Sequence, residues 1–262
     1  MTAAVDERIL RRLSSGDADP ILVADFQAMS MSPRLSEMLR EHLAGRAVFQ
    51  LDPIGVLSGS RRYRPMPELA AAGAEEFRSA GADRGDVLVV GHCSAAPLAL
   101  RVAAELASTR TVTAVLVNPS WPDDDHVAAK FAEFLGKFGP PPHPVPELSG
   151  DPDEVVASLE RVFQEKIAAL AASRGISSTA GAFTDLIVWY RAWLAFVLAG
   201  RNDPPLGPAR WPAVTVLSDA APTVAVPGLD RGAYPVREIP PQPVGTVTAE
   251  LAQIVAAHLA PR

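Results

Sequence analysis

A short segment between an expected strand and an expected helix contains the only cysteine of the chain. Residues 87–90 are four consecutive apolar residues, which predict a buried strand. Gly91-His92-Cys93-Ser94-Ala95 follows, and residues 96–106 then show helical spacing. A strand, a tight turn and a helix around Gly-x-Cys-x-Ala are typical of a nucleophile elbow, which exposes its central side chain above a sheet. We therefore expect Cys93 to act as a nucleophile in acyl chemistry.

A thiol changes what such an elbow can do. Its free pKa of about 8.5 is lowered at the start of a helix, so it ionises without a strong base. The backbone N–H of Ser94, with one from the loop at Gln27, would form an oxyanion hole. Exchange of a thioester for another thioester needs little base, whereas hydrolysis needs an activated water. The residues therefore favour acyl transfer, or attack on the acyl-enzyme by a nucleophile within the substrate, over fast hydrolysis. The alternative is that Cys93 is an inert residue where catalysis has been lost.

Strand-like and helix-like segments alternate along the chain, as a parallel α/β sheet requires. The predicted strands are Ile21–Phe26, Ala47–Leu51, Val87–Val90, Val112–Val117, Val214–Leu217 and Pro235–Ile239. The predicted helices between them are Leu35–Leu43, Glu68–Ala80, Ala96–Ala107 and Val247–Leu259, the last beginning at Thr246.

The alternation is interrupted by an insertion at about residues 122–208. This stretch predicts three helices, at Asp124–Phe138, Pro152–Arg174 and Ala180–Gly200. An all-helical insertion after the strand that follows the elbow would lie over the carboxyl ends of the strands as a lid. Extra core packing is the alternative. Apolar residues of the third helix would contact substrate there, namely Phe183, Trp189, Tyr190 and Trp193.

Composition limits the remaining possibilities. A chain of 262 residues with 48% hydrophobic residues is expected to form one domain with a sizeable core. The net charge of −6 argues against a nucleic-acid partner. The most apolar segment, Leu186–Leu198, contains Arg191 and is too short to span a bilayer, so no membrane partner is expected. A single cysteine and a polar N-terminus favour a cytoplasmic protein.

Several of these segments resemble the thioesterase branch of the α/β-hydrolases, the type II thioesterases that serve polyketide synthases and nonribosomal peptide synthetases. Gly91-His92-Cys93-Ser94-Ala95-Ala96 is similar to the elbow of that family, Gly-His-Ser-x-Gly-Gly. The resemblance implies an α/β-hydrolase fold, with a mostly parallel central sheet flanked by helices and a helical lid insertion. The other segments that carry it are Pro20–Phe26, Arg46–Gly55, Ala114–Asn118, Ala213–Leu217 and Val236–Pro240.

The chain departs from that family at every position of the catalytic triad. Cys93 replaces the serine, and Asn118 replaces the aspartate. Pro241-Gln242-Pro243-Val244 stands where Gly-x-His-Phe would supply the histidine, and residues 144–257 contain no histidine. Many α/β-hydrolases keep their acid where Asp219 lies, although here it has no histidine to orient.

The resemblance implies a thioesterase-like protein that acts on a chain held by an acyl or peptidyl carrier protein, or on a small-molecule thioester. No cofactor is expected, apart from a phosphopantetheine arm that presents the substrate, and no metal-ligand spacing is present. A pseudo-hydrolase that binds an intermediate or partner, or catalyses a non-covalent cyclisation or isomerisation, is the alternative. Besides Cys93 and Asn118, the expected site residues are Phe26 and His92 at the substrate, His126 as a substitute base, and Arg61, Arg62 and Arg64 at the carrier protein.

Overall fold

The computed structural model describes residues 8–25, 33–59, 63–81, 85–139, 144–175, 181–207, 211–221, 223–242 and 247–260. These residues form two compact units. The sheet unit contains residues 8–52, 66–121 and 203–260, and the helical unit contains residues 53–65 and 122–202.

The sheet unit contains a seven-stranded sheet in the order β1-β3-β2-β4-β5-β6-β7. All neighbouring strands are parallel except β1 and β3, which are antiparallel. The central strands are runs of apolar, largely β-branched residues, as expected of strands covered on both faces. The strands are β1 (Leu10–Arg12), β2 (Ala18–Ala24), β3 (Arg46–Leu51), β4 (Val87–His92), β5 (Val112–Val117), β6 (Ala213–Ser218) and β7 (Val236–Glu238).

Helices cover both faces of this sheet. Helices α1 (Leu35–His42) and α8 (Ala249–Leu259) pack together on one face, where Leu35, Leu39 and Leu251 join a fully buried cluster with strand residues. On the other face α3 (Met66–Ser79) packs against α4 (Ala96–Ala107). The predicted mostly parallel sheet flanked by helices is therefore confirmed.

The helical unit contains α2 (Ile54–Leu57), α5 (Asp124–Gly136), α6 (Pro152–Ser173) and α7 (Gly181–Arg201). Asp123 and Asp151 cap α5 and α6 with their carboxylates. A cluster of aromatic rings forms the interior, with the Phe134 and Tyr190 rings stacked. The other rings of this aromatic cluster are Phe138, Phe163 and Trp193.

Three features differ from the sequence prediction. Strand β1 was not predicted, because three residues at the sheet edge carry too little pattern. Helix α2 was not predicted either, because four residues form barely one turn. The last helix is capped by Thr248 rather than Thr246, since the Thr248 hydroxyl accepts from the backbone N–H of Leu251 at 3.1 Å.

The three predicted helices of the insertion are present, and no end differs from the prediction by more than two residues. Their role as a lid within residues 122–208 stays a prediction. By length and composition alone, residues 183–201 of α7 could cross a membrane, and 56% of this stretch is buried inside the protein. A core helix satisfies the same criteria.

Candidate active site

The elbow has the local structure that the sequence predicts. Strand β4 ends at His92, Cys93–Ala95 form one 3-10 turn, and α4 begins at Ala96. Cys93 is exposed and has a φ of 51°, in the left-handed region that residues other than glycine seldom adopt. Such strained backbone is often found at functional sites. The turn therefore presents a thiol to solvent at the carboxyl end of a central strand.

Gly91 makes this turn sterically possible. A Cβ built on Gly91 would lie 2.9 Å from the Cα of Ala96, where real contacts are essentially never so short. The small residue at the other side of the turn, Ala95, is buried. As the sequence suggested, small side chains at these two positions let the strand and the helix approach closely.

A neighbouring turn supports the main chain of the elbow. The backbone N–H of Ser120 donates to the carbonyl of Cys93 at 3.2 Å. Two residues earlier, directly after β5, Asn118 also has left-handed backbone, with a φ of 43°. Asparagine tolerates this region better than most residues because its side chain forms local hydrogen bonds.

The side chain of Asn118 pairs with Asp219, which follows β6. Its Oδ1 accepts from the backbone N–H of Asp219 at 3.0 Å, and its Nδ2 donates to Asp219 Oδ2 at 3.3 Å. A carboxylate at position 118 could not make the second of these bonds. The asparagine therefore suits a position next to an acid. The two positions at which the resemblance places an acid, 118 and 219, are hydrogen-bonded to each other.

Gln242 completes this group from the segment after β7. Its backbone N–H donates to Asp219 Oδ2 at 3.0 Å. Its carboxamide donates to the carbonyl of Pro240 and accepts from the Thr248 hydroxyl, both at 2.8 Å. In the segment where the resemblance places a histidine, a glutamine thus connects the end of the sheet to the cap of α8. We call Asn118, Asp219, Gln242 and Thr248 the amide network.

His92 is the residue before the thiol. Burial lowers the pKa of its imidazole from 6.5 to about 4. The imidazole is therefore neutral at pH 7 and a weak base. Its predicted contact with substrate stays a prediction. Ser94, expected to supply an oxyanion-hole N–H, is half-buried in the 3-10 turn that begins at Cys93. Its role in an oxyanion hole stays a prediction.

Asp25 was not identified from the sequence as a site residue. It follows β2 directly and is 2% exposed. Burial raises its pKa to about 7, although hydrogen bonds from Ser36 and Gln50 and the charge of Arg34 oppose the shift. The signal in the sequence was an acid that directly follows the apolar run Ile21–Ala24.

Several predicted site residues lie outside the described residues, namely Phe26, Gln27, Arg61 and Arg62. Arg64 is described and half-buried. Its role at a carrier protein stays a prediction.

The remaining candidates lie in the helical unit. Tyr190 and Trp193 belong to its aromatic cluster and are 1% and 7% exposed, so they have little surface to offer a substrate in this structure. The Tyr190 hydroxyl donates to the carbonyl of Lys130 at 3.0 Å, and burial raises its pKa. Trp189 is half-buried and retains accessible surface. The predicted contacts of Trp189, Tyr190 and Trp193 with substrate stay predictions.

His126, the predicted substitute base, lies in the first turn of α5. Its backbone N–H donates to Asp123 Oδ1 at 2.8 Å. Burial and the charge of Lys130 lower the pKa of its imidazole, whereas Asp123 raises it. The adjacent carboxylates serve the helix start, and among the described residues no three His, Cys, Asp or Glu side chains are grouped as metal ligands.

Comparison with solved structures gives low sequence identity and extensive structural overlap. A four-domain nonribosomal peptide synthetase, holo-AB3403 bound to AMP and glycine, aligns over 96% of this chain with a TM-score of 0.61 and 16% identity. The chain spans only 20% of that synthetase. The NocB thioesterase domain from the nocardicin cluster aligns over 96% of this chain and 98% of its own, with a TM-score of 0.55 and 15% identity.

A third similar structure is the Vlm2 thioesterase domain with 2,3-diaminopropionic acid bound with a tetradepsipeptide. It aligns over 95% of this chain and 97% of its own, with a TM-score of 0.53 and 16% identity. A comparison with curated proteins gave no match. The sequence profile of the alpha/beta hydrolase family matches residues 25–248. The sheet order, the elbow and this match agree, and the chain belongs to the alpha/beta hydrolase family.

Proposed function

We propose that this protein accepts an acyl or peptidyl chain from a carrier-bound thioester onto Cys93 and then releases it by transfer, cyclisation or slow hydrolysis. The observation that carries the proposal is the exposed Cys93 thiol at a φ of 51°, between β4 and α4. The similarity in fold to the thioesterase domains NocB and Vlm2 supports a thioester as the substrate class.

The first step of the proposed reaction is an exchange between two sulfurs. The Cys93 thiolate attacks the carbonyl carbon of the thioester, and the negative charge moves to the carbonyl oxygen. The N–H of Ser94 and one from the segment at Gln27 would donate to that oxyanion. When the tetrahedral intermediate collapses, the carrier thiolate leaves and the chain remains on Cys93. The charge that enters on one sulfur leaves on another, so this step needs no net proton transfer.

The residues around the thiol make hydrolysis slow. Water must lose a proton as it attacks an acyl-enzyme, which normally requires a general base. His92 is a poor base because burial depresses its pKa to about 4. Asp219 Oδ2 already accepts hydrogen bonds from Gln242 and Asn118. A nucleophile of the substrate itself, or a second thiol, is a better acceptor for the chain than water is.

The proposal assigns contacts outside the elbow as well. Phe26 and Trp189 would line the substrate, and His126 would approach the acyl-enzyme if a substitute base is used. Arg61, Arg62 and Arg64 would bind the acidic surface or the phosphopantetheine arm of a carrier protein, because guanidinium groups bind phosphate in a bidentate manner. Such a protein would work in the cytoplasm without nucleic-acid or membrane partners.

Intact-protein mass spectrometry after incubation with acyl-pantetheine thioesters tests the covalent step. We expect one acyl adduct per chain on the wild type and none on Cys93→Ala. Cys93→Ser is the matched variant, because it keeps the shape of the side chain but lacks a readily ionised thiol, and it should acylate far more slowly. The absence of an adduct with short, long and aminoacyl donors would reject the covalent proposal.

The amide network favours a second candidate, a pseudo-hydrolase that binds or cyclises an intermediate without a covalent step. The network joins the ends of β5, β6 and β7 through hydrogen bonds in which Asp219 pairs with amide groups of Asn118 and Gln242 and not with an imidazole. This candidate predicts that Cys93→Ala retains ligand binding and pathway activity. Turnover of an acyl-pantetheine thioester by Cys93→Ala distinguishes the two, since the covalent proposal requires loss of turnover in this variant and the pseudo-hydrolase candidate does not.

A further inference from the structure

Two left-handed residues lie at the ends of adjacent parallel strands, Cys93 after β4 and Asn118 after β5. Both conformations cost energy for residues with a Cβ, so the surrounding hydrogen bonds must hold them. For Cys93 one such bond is the Ser120 N–H to its carbonyl, at 3.2 Å. Ser120 is carried by the turn that starts at Asn118, so the position of that turn affects the elbow.

Asp219 fixes the Asn118 turn from two directions. Its backbone N–H and its carboxylate both bond to the Asn118 carboxamide, at 3.0 and 3.3 Å. The Asn118 backbone N–H also donates to the carbonyl of Leu217, two residues before Asp219, at 2.8 Å. Asn118 is thus bound to the end of β6 through its main chain and through both polar atoms of its side chain.

Asp219 is itself anchored by the segment after β7. The Gln242 N–H donates to Asp219 Oδ2, and the Gln242 carboxamide is bonded to Pro240 and to Thr248. Thr248 in turn caps α8, a helix of the buried core. These hydrogen bonds, together with the main chain from Asn118 to Ser120, therefore connect the core helix to the carbonyl of Cys93.

We infer that Asp219 is a positioning residue for the Cys93 thiol, which it controls through the Asn118 turn rather than as a general base. The inference rests on the proposed function, because it concerns the same nucleophile. It goes beyond that function by assigning a role to an acid that has no imidazole to orient. Loss of the Asp219 side chain should release the Asn118 turn, let Cys93 relax from its left-handed conformation and make the thiol less reactive.

Alkylation by iodoacetamide across pH 6–10 measures this directly. The chain has a single cysteine, so the reaction reports on Cys93 alone and yields both a thiol pKa and a limiting rate. We expect Asp219→Ala to lower the rate at pH 7 by about tenfold, the effect of losing one strong hydrogen bond. Asp219→Asn retains an acceptor oxygen and should restore most of that rate. Asp230→Asn, at an exposed acid of the same unit, is the matched control and should change nothing.

A double-mutant cycle separates positioning from general destabilisation. Asn118→Gly accepts the left-handed backbone but lacks the carboxamide that Asp219 holds. If Asp219 acts through Asn118, adding Asp219→Ala to Asn118→Gly should change the rate by less than about twofold. Thermal melts of all four proteins accompany the cycle, and Asp219→Ser, which also lacks the carboxylate, replaces Asp219→Ala in it if the alanine variant does not fold.

The inference is overturned if Asp219→Ala alkylates within about twofold of the wild type, or if it costs the same factor in both backgrounds. Neither result depends on an acyl substrate. A protein that forms no acyl adduct but shows the predicted coupling would refute the proposed function and keep this inference. A protein that forms the adduct but shows no coupling between positions 118 and 219 would support the proposed function and overturn this inference.

Discussion

A Cβ built on Gly91 would lie 2.6 Å from the Cβ of Ala99, one turn into α4. Gly91 lies in β4 and pairs with Ala24 of β2 on one side and Leu116 of β5 on the other. The helix that follows the elbow therefore touches the central strand, with no space for a methyl group between them.

Gly91→Ala should destabilise the protein by about 1–3 kcal/mol, because overpacking at a rigid contact forces a backbone shift. Chemical denaturation measures the loss, and alkylation of Cys93 shows whether the elbow is displaced. Gly232→Ala is the control, because a Cβ on Gly232 would meet nothing within 4 Å. An equal effect of the two substitutions would mean that the close approach at Gly91 has no energetic consequence.

Much of the sheet could be predicted because its central strands are buried on both faces. Short runs rich in β-branched residues, such as Val87–Val90 and Val112–Val117, predict buried strands, and both start at the residue where the observed strand starts. The elements that were missed are short or exposed. Strand β1 is Leu-Arg-Arg, whose pairing with β3 depends on residues about 40 positions away, so no local pattern indicates it.

The elbow could also be predicted, because glycine and alanine around a central cysteine indicate a close approach. The amide network could not. Its hydrogen bonds join residues 118, 219, 242 and 248, and no spacing rule connects a strand end to a side chain about 100 residues later. Tyr190 shows a different limit of the sequence. Apolar residues at helical spacing predict that one face of the helix is buried, but they do not show whether protein or substrate covers that face.

The buried carboxyl of Asp25 should make stability depend on pH. Its pKa in the folded protein is about 7, against about 4 in an unfolded chain, so the folded state holds the proton more tightly. This contribution to stability is complete below pH 4 and is lost as the pH rises through 7. Asp25→Asn removes it, so the variant should gain stability relative to the wild type between pH 4 and pH 8.

The size of that gain follows from the shift, at about 1.4 kcal/mol per pKa unit. Urea denaturation at several pH values, with Asp86→Asn as an exposed-acid control, measures it. A constant difference between the Asp25→Asn variant and the wild type at every pH would show that Asp25 titrates normally.

His92 should make the stability of the fold depend on pH in the opposite direction to Asp25. Burial lowers its pKa from 6.5 to about 4, so the unfolded chain binds this proton more readily than the folded protein does. The stability that this neutral imidazole contributes is complete above pH 6.5 and is lost as the pH falls through 4. His92→Gln should therefore lose less stability than the wild type on acidification from pH 7 to pH 4. The matched control is the same substitution at the exposed His42.

An ion pair on α4 gives the last prediction. Arg101 Nε lies 2.6 Å from Asp203 Oδ1, with side chains only 13% and 15% exposed, and the guanidinium also donates to the carbonyl of Pro204. Burial raises the pKa of Asp203, and Arg101 opposes the rise. Arg101→Gln leaves the carboxylate buried without its cation, which should cost about 3 kcal/mol at pH 8.

The destabilisation caused by Arg101→Gln should decrease as the pH is lowered. Without Arg101 the pKa of Asp203 rises further, so the carboxyl takes up a proton and no charge stays buried. The double variant Arg101→Gln/Asp203→Asn should recover part of the loss at pH 8, since no charge stays buried. Arg40→Gln, which breaks an exposed pair with Glu41, should cost under about 1 kcal/mol at any pH. If the losses in unfolding free energy from Arg101→Gln and from Asp203→Asn simply add in the double variant, the pair contributes through packing alone and not through its charges.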